Sequence, residues 1–193
     1  MNKALVTKLA LAFCLALLLT VGCFSRGDTR SMDRDIVLYE QAMRDFSGHS
    51  DGIDVGIQRF SEAFADLTDP NLERKMSALY AERLFFNDTL HSFDKGEDVV
   101  EYMTRTGAGL SESDVQIHQV LRDGNDVFVR WTMEFRTRAA GRDIHSHSIG
   151  MTHLRFNASG EVVLHQDFWD SGHALYAHLP FVGFAVRQAR SRM

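Results

Sequence analysis

The sequence predicts one α+β domain, in which a curved, mostly antiparallel sheet wraps around N-terminal helices. Two observations carry this prediction: apolar residues recur at three- and four-residue steps up to about residue 103, and they alternate with polar residues from Val115 onward. Helices followed by an antiparallel meander are typical of α+β proteins. Such a sheet hides its apolar face by curling around the helices, and the curl encloses a cavity that suits a small ligand.

The first half of the domain shows the periodicity of three amphipathic helices. The apolar stripe is clearest in the first of them: Ile53, Ile57, Phe60, Phe64 and Leu67. Asp69-Pro70 predicts the start of the second helix, which continues to Tyr80, because proline at the first helical position loses no needed donor. A short strand at 84–86 then ends at Asn87-Asp88, and the third helix follows Gly96.

Four further strands follow, separated by turn signals. The strands are predicted near residues 115–119, 127–135, 144–156 and 162–169. The turns between them are Asp123-Gly124-Asn125, Gly141-Arg142-Asp143 and the hairpin turn at 157–160. After Ser171 we expect a short helix, a break at Pro180 and a basic tail with Arg187, Arg190 and Arg192.

Composition fits a globular domain and argues against a nucleic-acid partner. The chain is 45% hydrophobic and 24% charged, which is ordinary for a folded domain. Without residues 1–22 it keeps 19 basic and 26 acidic residues, a net charge of −7 that does not suit phosphate backbones. Both cysteines, Cys14 and Cys23, precede the domain, so it contains no disulfide, thiol nucleophile or cysteine-based zinc site.

The N-terminus predicts export and lipidation. Lys3 and Lys8 precede Ala10–Val21, an uncharged run of about 12 residues that matches a signal-peptide core and is shorter than the ~20 residues of a spanning helix. Leu19-Thr20-Val21-Gly22-Cys23 resembles a lipobox, which implies cleavage before Cys23 and its acylation with palmitate or similar chains. An uncleaved anchor, or a plain secretory signal with an incidental cysteine, is the alternative.

The predicted location is the bacterial cell envelope. Several acyl chains on one cysteine hold a protein stably on a bilayer. Phe24, rather than Asp, follows Cys23, which by resemblance to enterobacterial sorting favours the outer membrane and a periplasmic domain. The predicted organisation is a signal peptide (1–22), a lipidated cysteine and tether with a short helix near 35–46 (23–52), the α+β domain (53–175) and a basic helical tail (176–193).

Three segments resemble the nuclear transport factor 2-like superfamily, and its SnoaL-like and ketosteroid-isomerase-like branches most of all. They are Tyr80–Asp88, which resembles the strand that presents a pocket acid, Leu154–Val163, which resembles a hairpin of ketosteroid isomerases, and His165–Asp170, which resembles the end of limonene epoxide hydrolase. The resemblance covers about residues 53–175 and implies a cone-shaped fold. This fold serves enzymes, binding domains and transport adaptors alike, so the resemblance does not choose among them.

Asp88 is the first candidate catalytic residue that the resemblance implies. It matches the general base of ketosteroid isomerases, which moves a proton beside a carbonyl group. Where those isomerases stabilise the enolate with a protonated acid, this chain has Thr152, a hydroxyl able to donate one hydrogen bond. The alternative is that Asp88 only caps the strand end or pairs with a helix terminus.

Asp167 and Arg130 are the other candidate catalytic residues. Asp167 matches the carboxylate that activates water in limonene epoxide hydrolase. That enzyme also uses an Arg-x-Asp pair on a neighbouring strand; Arg130 fits the arginine, but Thr132 stands where the second acid belongs. A buried Arg130–Asp167 ion pair without a catalytic part is the alternative.

Aromatic and hydroxyl side chains are candidates for ligand contact. We predict Trp131, Thr152, Trp169 and Tyr80 as ligand-binding residues, with Tyr102 as a further hydroxyl donor. Aromatic residues equally form the core of any such sheet.

The histidines raise the question of a metal. His145, His147 and His153 share one face of a predicted strand, and His165 follows on the next, which is one way to hold zinc. Nine histidines are spread through the chain, and a polar outer face of the sheet is the simpler explanation, so we predict no metal ligands among them; we also predict no cofactor. One of these histidines then remains a candidate acid or base in the pocket.

The basic tail has two interpretations. Apolar residues and arginines recur at helical spacing over 181–190, so the tail either lies on a membrane surface with its arginines towards anionic headgroups, or packs over the mouth of the cone. We expect residues 175–180 at the mouth.

Together these observations predict a membrane-anchored, SnoaL-like pocket protein. It would bind or convert a small apolar molecule, of lipid or isoprenoid type, by carboxylate acid/base chemistry, as a cofactor-independent isomerase, cyclase or hydrolase. A non-catalytic ligand-binding or assembly module of the same fold is the alternative. A homodimer is compatible with the sequence, which does not set the oligomeric state.

Overall fold

The computed structural model describes residues 29–139, 141–178 and 182–192. The predicted signal peptide (1–22), the predicted lipidation site Cys23 and the predicted break at Pro180 lie outside these residues. The chain divides into two units, residues 1–38 and 39–193, and every strand of the described residues lies in the second. In the part of the chain that the structure describes, no helix is both long and apolar enough to cross a membrane.

Six helices are present in the described ranges, with 3-10 turns at Ser50–Gly52 and Tyr176–His178. The helices are α1 (Thr29–Asp45), α2 (Ile53–Phe64), α3 (Leu72–Leu79), α4 (Gly96–Ala108), α5 (Ser171–Ala174) and α6 (Val182–Arg190). Helix α3 begins two residues later than the Asp69-Pro70 signal predicted, because the Asp69 carboxylate accepts the Asn71 backbone N–H and holds a turn first. Tyr80, predicted as helical, is instead the first residue of a strand.

The six strands form one curved, open sheet. They are β1 (Tyr80–Asn87), β2 (Ser92–Lys95), β3 (Leu110–Asp123), β4 (Asp126–Ala139), β5 (Arg142–Phe156) and β6 (Val162–Trp169). Their order across the sheet is β2-β1-β6-β5-β4-β3, and all pairs are antiparallel except β1 with β6. The predicted α+β class with a curved, mostly antiparallel sheet is confirmed. The sequence analysis missed β2, whose four residues are too few to show an alternation.

The two faces of the sheet have different roles. The inner face carries apolar side chains of β4 and β5, such as Val129, Trp131 and Leu154, which join the core with Phe60 of α2 and Met76 of α3. Strand alternation sends their neighbours to the outer face. The inner face therefore builds the core and any enclosed cavity, and the helices α2 to α4 close it.

The outer face of β4 and β5 holds the second half of α1. Arg155 donates to both carboxylate oxygens of Asp126, at 2.5 and 3.2 Å, and to the carbonyl oxygens of Met43 and Phe46, at 2.8 and 2.7 Å. These carbonyls belong to the last turn of α1 and the residue after it, so one guanidinium satisfies orphan acceptors at a helix end. The helix is thereby fixed to the sheet by its C-terminal turn.

A buried histidine completes this attachment. The two ring nitrogens of His153 contact Tyr39 Oη at 2.7 Å and an Asp126 carboxylate oxygen at 2.6 Å, and Phe128 stacks on the ring. Loss of contact with water lowers the pKa of His153, although the bond to Asp126 works in the opposite direction. Burial also raises the pKa of Asp126, but hydrogen bonds from Arg155 and His153 outweigh that effect and lower it overall. The network is thus a neutral histidine between a tyrosine and a charged pair.

Candidate functional site

A cavity of about 430 Å³ lies between the inner face of the sheet and the helices. Most of its lining is apolar and comes from two helices, α2 and α4, from the strands β1, β3, β4 and β6, and from the segments that follow α2 and α5. The lining side chains include Phe60, Phe64, Leu67, Phe86, Met103, Leu110, Val115, Trp131, Met133, Phe135, Trp169 and Leu175. Leu175 is the residue predicted to begin the cover of the mouth, and it does lie against the cavity. The volume falls in the range of small-molecule sites in proteins.

Two carboxylates, Asp88 and Asp167, line this apolar cavity. Asp88 follows the last residue of β1, and Asp167 lies on β6, the strand beside β1. Parallel pairing of these two strands places their C-terminal ends side by side, which brings both acids to one cavity. The structure thus places these two predicted residues at the same cavity.

Asp88 is held by three donors. Its Oδ1 accepts the backbone N–H groups of Leu90 and His91, at 2.9 and 2.7 Å, and its Oδ2 accepts the Tyr102 hydroxyl at 2.5 Å. Its main-chain oxygen accepts the indole N–H of Trp169 at 2.7 Å. Asp88 therefore caps the turn after β1, as the alternative reading of the sequence proposed, and also lines the cavity.

The turn that carries Asp88 is strained. Thr89, the next residue, has a φ of 73°, a left-handed conformation that β-branched residues rarely adopt. Its N–H is held by the Asn87 side-chain oxygen at 2.8 Å. Strain of this kind costs about 1–3 kcal/mol and persists only where surrounding bonds enforce it. The bonds to Asn87 and Asp88 supply that enforcement and fix the position of the carboxylate.

Asp167 belongs to a chain of hydrogen bonds that runs through the core. Its Oδ1 accepts the Thr152 hydroxyl at 2.5 Å and lies 3.0 Å from His165 Nε2, and His165 Nδ1 lies 3.0 Å from the hydroxyl of Tyr80. With Asp167 ionised, the consistent assignment has Tyr80 donating to Nδ1 and Nε2–H donating to the carboxylate. Among the described residues, Oδ2 of Asp167 accepts no hydrogen bond.

Both tyrosines of the site keep their hydroxyl protons. Burial, followed by the charges of Asp167 and Asp88, raises the pKa of Tyr80 well above its usual value. Burial and the neighbouring Asp88 carboxylate likewise raise the pKa of Tyr102. Each tyrosine is therefore a hydrogen-bond donor at any physiological pH, and neither is a ready base.

Three predicted site residues have roles different from those expected. Arg130 lies on the outer face, because its neighbours Val129 and Trp131 point inward, and it has no carboxylate within 4.0 Å in the described residues. Neither a catalytic role for Arg130 at the cavity nor the alternative, an ion pair with Asp167, fits this position. Thr152 lines the cavity, but it accepts the Trp131 indole N–H at 2.9 Å and gives its only proton to Asp167. Tyr80 does not line this cavity and lies behind His165.

Two functional side chains were not ranked by the sequence analysis. Tyr102 was one of two candidate hydroxyl donors and is the one that meets the cavity. His165 was grouped with the outer-face histidines, although the i, i+2 spacing to Asp167 on one strand places both on the inner face. This two-residue spacing was the signal in the sequence that could have placed His165 at the cavity, because residues two apart on a strand lie on the same face.

The histidines do not form a metal site. His145 and His153 face outward on β5, where His145 contacts Glu134 and His153 contacts Asp126, while His165 faces inward. Within the described ranges, no three His, Cys, Asp or Glu side chains are grouped so that they would hold a metal ion. The cross-strand cluster considered for zinc is therefore absent there.

The tail helix α6 bonds back to the domain. Arg187 donates to the carbonyl oxygen of Ala177, and Arg190 donates to the carboxylate of Asp170, each at 2.5 Å. The N–H groups of these arginines thus meet protein acceptors, whereas Val182 and Phe184 are exposed. The packing interpretation of the tail fits these contacts better than arginines free for headgroups.

Solved structures share this fold. An LEH-like epoxide hydrolase from M. tuberculosis is 14% identical, with a TM-score of 0.52 over 65% of this chain and 86% of its own. A protein titled putative SnoaL-like polyketide cyclase from Shewanella denitrificans is 18% identical, with a TM-score of 0.54 over 62% and 93%. A protein of ketosteroid isomerase-like fold from Catenulispora acidiphila, in complex with trimethylamine, is 19% identical, with a TM-score of 0.53 over 62% and 88%.

At these identities the likeness concerns the fold alone. No curated protein matches the chain. The family model of the SnoaL-like domain matches residues 57–165, which run from α2 to β6 and include the cavity carboxylate Asp88; Asp167 lies two residues beyond the match. The chain is thus a member of the SnoaL-like domain family, with the cavity of that fold open to a small molecule.

Proposed function

We propose that this protein binds a small, largely apolar molecule in the cavity and acts on it with Asp167 as general base. The observation that carries the proposal is a carboxylate with one unengaged oxygen on the wall of an apolar cavity of about 430 Å³. An ionised carboxylate there accepts a proton from a bound hydroxyl group or water molecule. The lipid or isoprenoid type of ligand remains part of this proposal.

The support behind Asp167 favours base chemistry. His165 is 1% exposed and contacts both Asp167 and Tyr80, and Thr152 fixes the same carboxylate oxygen. Because hydrogen bonds hold one oxygen of the Asp167 carboxylate, the orientation of its other oxygen is also fixed. A fixed orientation is the preorganisation that proton transfer needs. Tyr80 and His165 act in this proposal as positioning residues rather than as ligand contacts.

Isomerisation through an enolate fits less well. That chemistry needs a donor directed at the developing oxyanion, and Thr152 has already given its proton to Asp167. Epoxide opening with an arginine partner also fits poorly, because Arg130 is on the other face of β4. The proposed reaction is therefore attack by an oxygen on an electrophilic carbon of the ligand: Asp167 takes the proton of a hydroxyl group or water molecule as that oxygen bonds to the carbon, and the proton then passes from Asp167 to the group that leaves the carbon. A purely binding module is the second candidate.

We also propose that the domain is anchored in the bacterial envelope through an acylated Cys23 and faces the periplasm. The support is the lipobox-like stretch that ends at Cys23, after a charged and then apolar N-terminal segment. A membrane-bound pocket protein would meet apolar molecules at the surface from which they leave the bilayer. Anchoring and ligand binding are separate parts of the proposal and are tested separately.

The test of catalysis compares three proteins: wild type, Asp167→Asn and the control Asp114→Asn. Asp167→Asn keeps the acceptor for Thr152 and His165 and removes the charge; Asp114 is exposed on β3 and hydrogen-bonds Gln116. Molecules extracted from the purified wild-type protein are identified by mass spectrometry and returned to each protein, and binding and product formation are measured. We expect product formation to fall by about 10²–10⁴-fold in Asp167→Asn only.

The outcomes separate the two candidate functions. Ligand binding by all three proteins, without product from any of them, favours the binding module over the enzyme. Equal product formation by wild type and Asp167→Asn contradicts the role of Asp167 as base. An empty wild-type cavity that takes up no apolar molecule contradicts the proposal as a whole.

A further inference from the structure

The direction of the hydrogen bonds around the cavity restricts the chemistry of its ligand. Among the described residues, every side-chain donor that the sheet contributes to the cavity lining already has an acceptor within the protein. Trp131 N–H is given to Thr152, Thr152 O–H to Asp167, Trp169 N–H to the carbonyl of Asp88, and Thr137 O–H to the carbonyl of Gly109. A donor engaged in this way is lost to a ligand, since each of these groups has a single proton.

The helix α4, which forms another wall of the cavity, contributes few free hydrogen-bond donors. Tyr102 gives its proton to Asp88, and its raised pKa keeps that proton in place. In the described ranges the lining side chains with donors left are Arg105 and Thr106, both on the last turn of α4, and the Arg105 side chain is 70% exposed to solvent. The remaining donors thus belong to one turn at the solvent side of the cavity.

The acceptors, by contrast, remain available. Oδ2 of Asp167 has no donor among the described residues, and Oδ2 of Asp88 takes only the Tyr102 proton, which leaves room for a second. Both carboxylates stand among aromatic rings, including Phe60, Phe86 and Trp131. The cavity wall therefore offers negative charge and ring faces, and within the part described it offers no lysine or arginine except Arg105.

We propose that the ligand of this cavity is an apolar molecule with a protonated amine as its polar group. An ammonium donates hydrogen bonds, compensates carboxylate charge in a place of low polarity, and is attracted by aromatic faces. A carbonyl, carboxylate or phosphate group would meet acceptors where it needs donors, so lipids with anionic heads are excluded from this orientation. This inference rests on the proposed function, because it names the ligand class of the same cavity.

The test uses three probes with one apolar cage and different polar groups: 1-adamantylamine, 1-adamantanol and 1-adamantanecarboxylate. The chain has two tryptophans, Trp131 and Trp169, and both line the cavity, so their fluorescence reports occupation directly. Titration at pH 7 should rank the amine about tenfold or more tighter than the alcohol, because a hydrogen bond to an ionised group is about twice as strong as a neutral one. The carboxylate should bind weakest.

The variant Asp167→Asn sharpens the test, since it replaces a free acceptor by an N–H₂ donor in the same shape. The preference for amine over alcohol should shrink by about tenfold, and binding of the carboxylate should improve; Asp114→Asn should keep the wild-type ranking. The wild-type ranking decides the matter even where a variant does not fold. Equal binding of amine and alcohol, or tighter binding of the carboxylate, overturns the amine proposal and leaves the pocket function standing. Binding of none of the three probes overturns both.

Discussion

Gly150 on β5 lies directly under the ring of Trp131, and Gly150→Ala tests how rigidly the cavity wall is held. A Cβ atom at Gly150 would lie 2.3 Å from Cζ2, 2.5 Å from Cη2 and 2.9 Å from Cε2 of Trp131. Ordinary carbon contacts are about 3.5–4.0 Å, so the indole has to move by about 1 Å. That movement stretches the 2.9 Å bond from the indole N–H to Thr152, which in turn holds Asp167.

The expected loss of stability follows from three contributions. Overpacking in a core costs about 1–3 kcal/mol, and a weakened buried hydrogen bond costs about 1 kcal/mol. Replacing a strand glycine by alanine stabilises the folded state by about 0.5–1 kcal/mol, because it lowers the conformational entropy of the unfolded chain. We therefore expect Gly150→Ala to lower the free energy of unfolding by about 1–3 kcal/mol and to shift the tryptophan emission.

Urea unfolding, followed by far-UV circular dichroism and by fluorescence, measures both effects. Trp131→Phe removes the indole atoms that meet the new methyl group, so it serves as the background for a double-mutant cycle. In that background Gly150→Ala should be nearly neutral. A Gly150→Ala protein as stable as wild type with unchanged emission, or one equally destabilised in both backgrounds, would refute this account of the wall.

Three further predictions concern the attachment of α1 and the N-terminus. Arg155→Leu leaves two carbonyl groups without their donor and leaves Asp126 with His153 as its remaining partner, so the free energy of unfolding should fall by about 3–5 kcal/mol and the C-terminal turn of α1 should become open to proteolysis. Arg136→Leu, which removes an exposed pair, should cost under about 1 kcal/mol in the same urea assay. The pKa of His153 is lowered in the folded state, so as the pH drops the unfolded chain takes up the proton first. The free energy of unfolding should therefore fall below about pH 6.5, by at most about 1.4 kcal/mol per pH unit, in wild type but not in His153→Gln. Equal dependence of stability on pH in the two proteins would contradict this. Cys23→Ser should move the protein from the membrane fraction to the soluble fraction, or leave it unprocessed, and an acylated, membrane-bound Cys23→Ser product would rule out the lipobox reading.

The fold was predictable because its elements carry strong local periodicity. The long alternation of β4 and the apolar stripe of α2 each repeat over enough residues to be read without a partner. The attachment of α1 to the sheet was not predictable, because Arg155 is more than a hundred residues away in the chain from the carbonyl groups of Met43 and Phe46. A local sequence pattern does not predict a contact between residues so far apart in the chain.

The sequence was enough to predict which residues line the cavity, but not which partner each hydroxyl group donates its proton to. Asp88, Asp167, Trp131 and Trp169 all line one cavity; the resemblance had implied the two acids, and the two tryptophans had been candidates for ligand contact as aromatic residues. The misplacement of Arg130 was avoidable, because apolar residues on both sides of it on an alternating strand already point it outward. Which way a hydroxyl gives its only proton, as at Thr152, follows from coordinates alone.

The position of β6 has a consequence for how the protein folds. This strand is the last of the sheet in chain order, yet it lies in the middle of the sheet, where it joins β1 on one side to β5 on the other. Until it is made, β1 and β2 have no connection to the other strands, and a lone two-strand ribbon is marginally stable in water. Folding therefore depends on pairing Tyr80 with Val162, a long loop closure that is slow compared with local contacts. A chain truncated before Val162 should stay open, so a nascent chain keeps an unfolded sheet until almost all of the domain has been made.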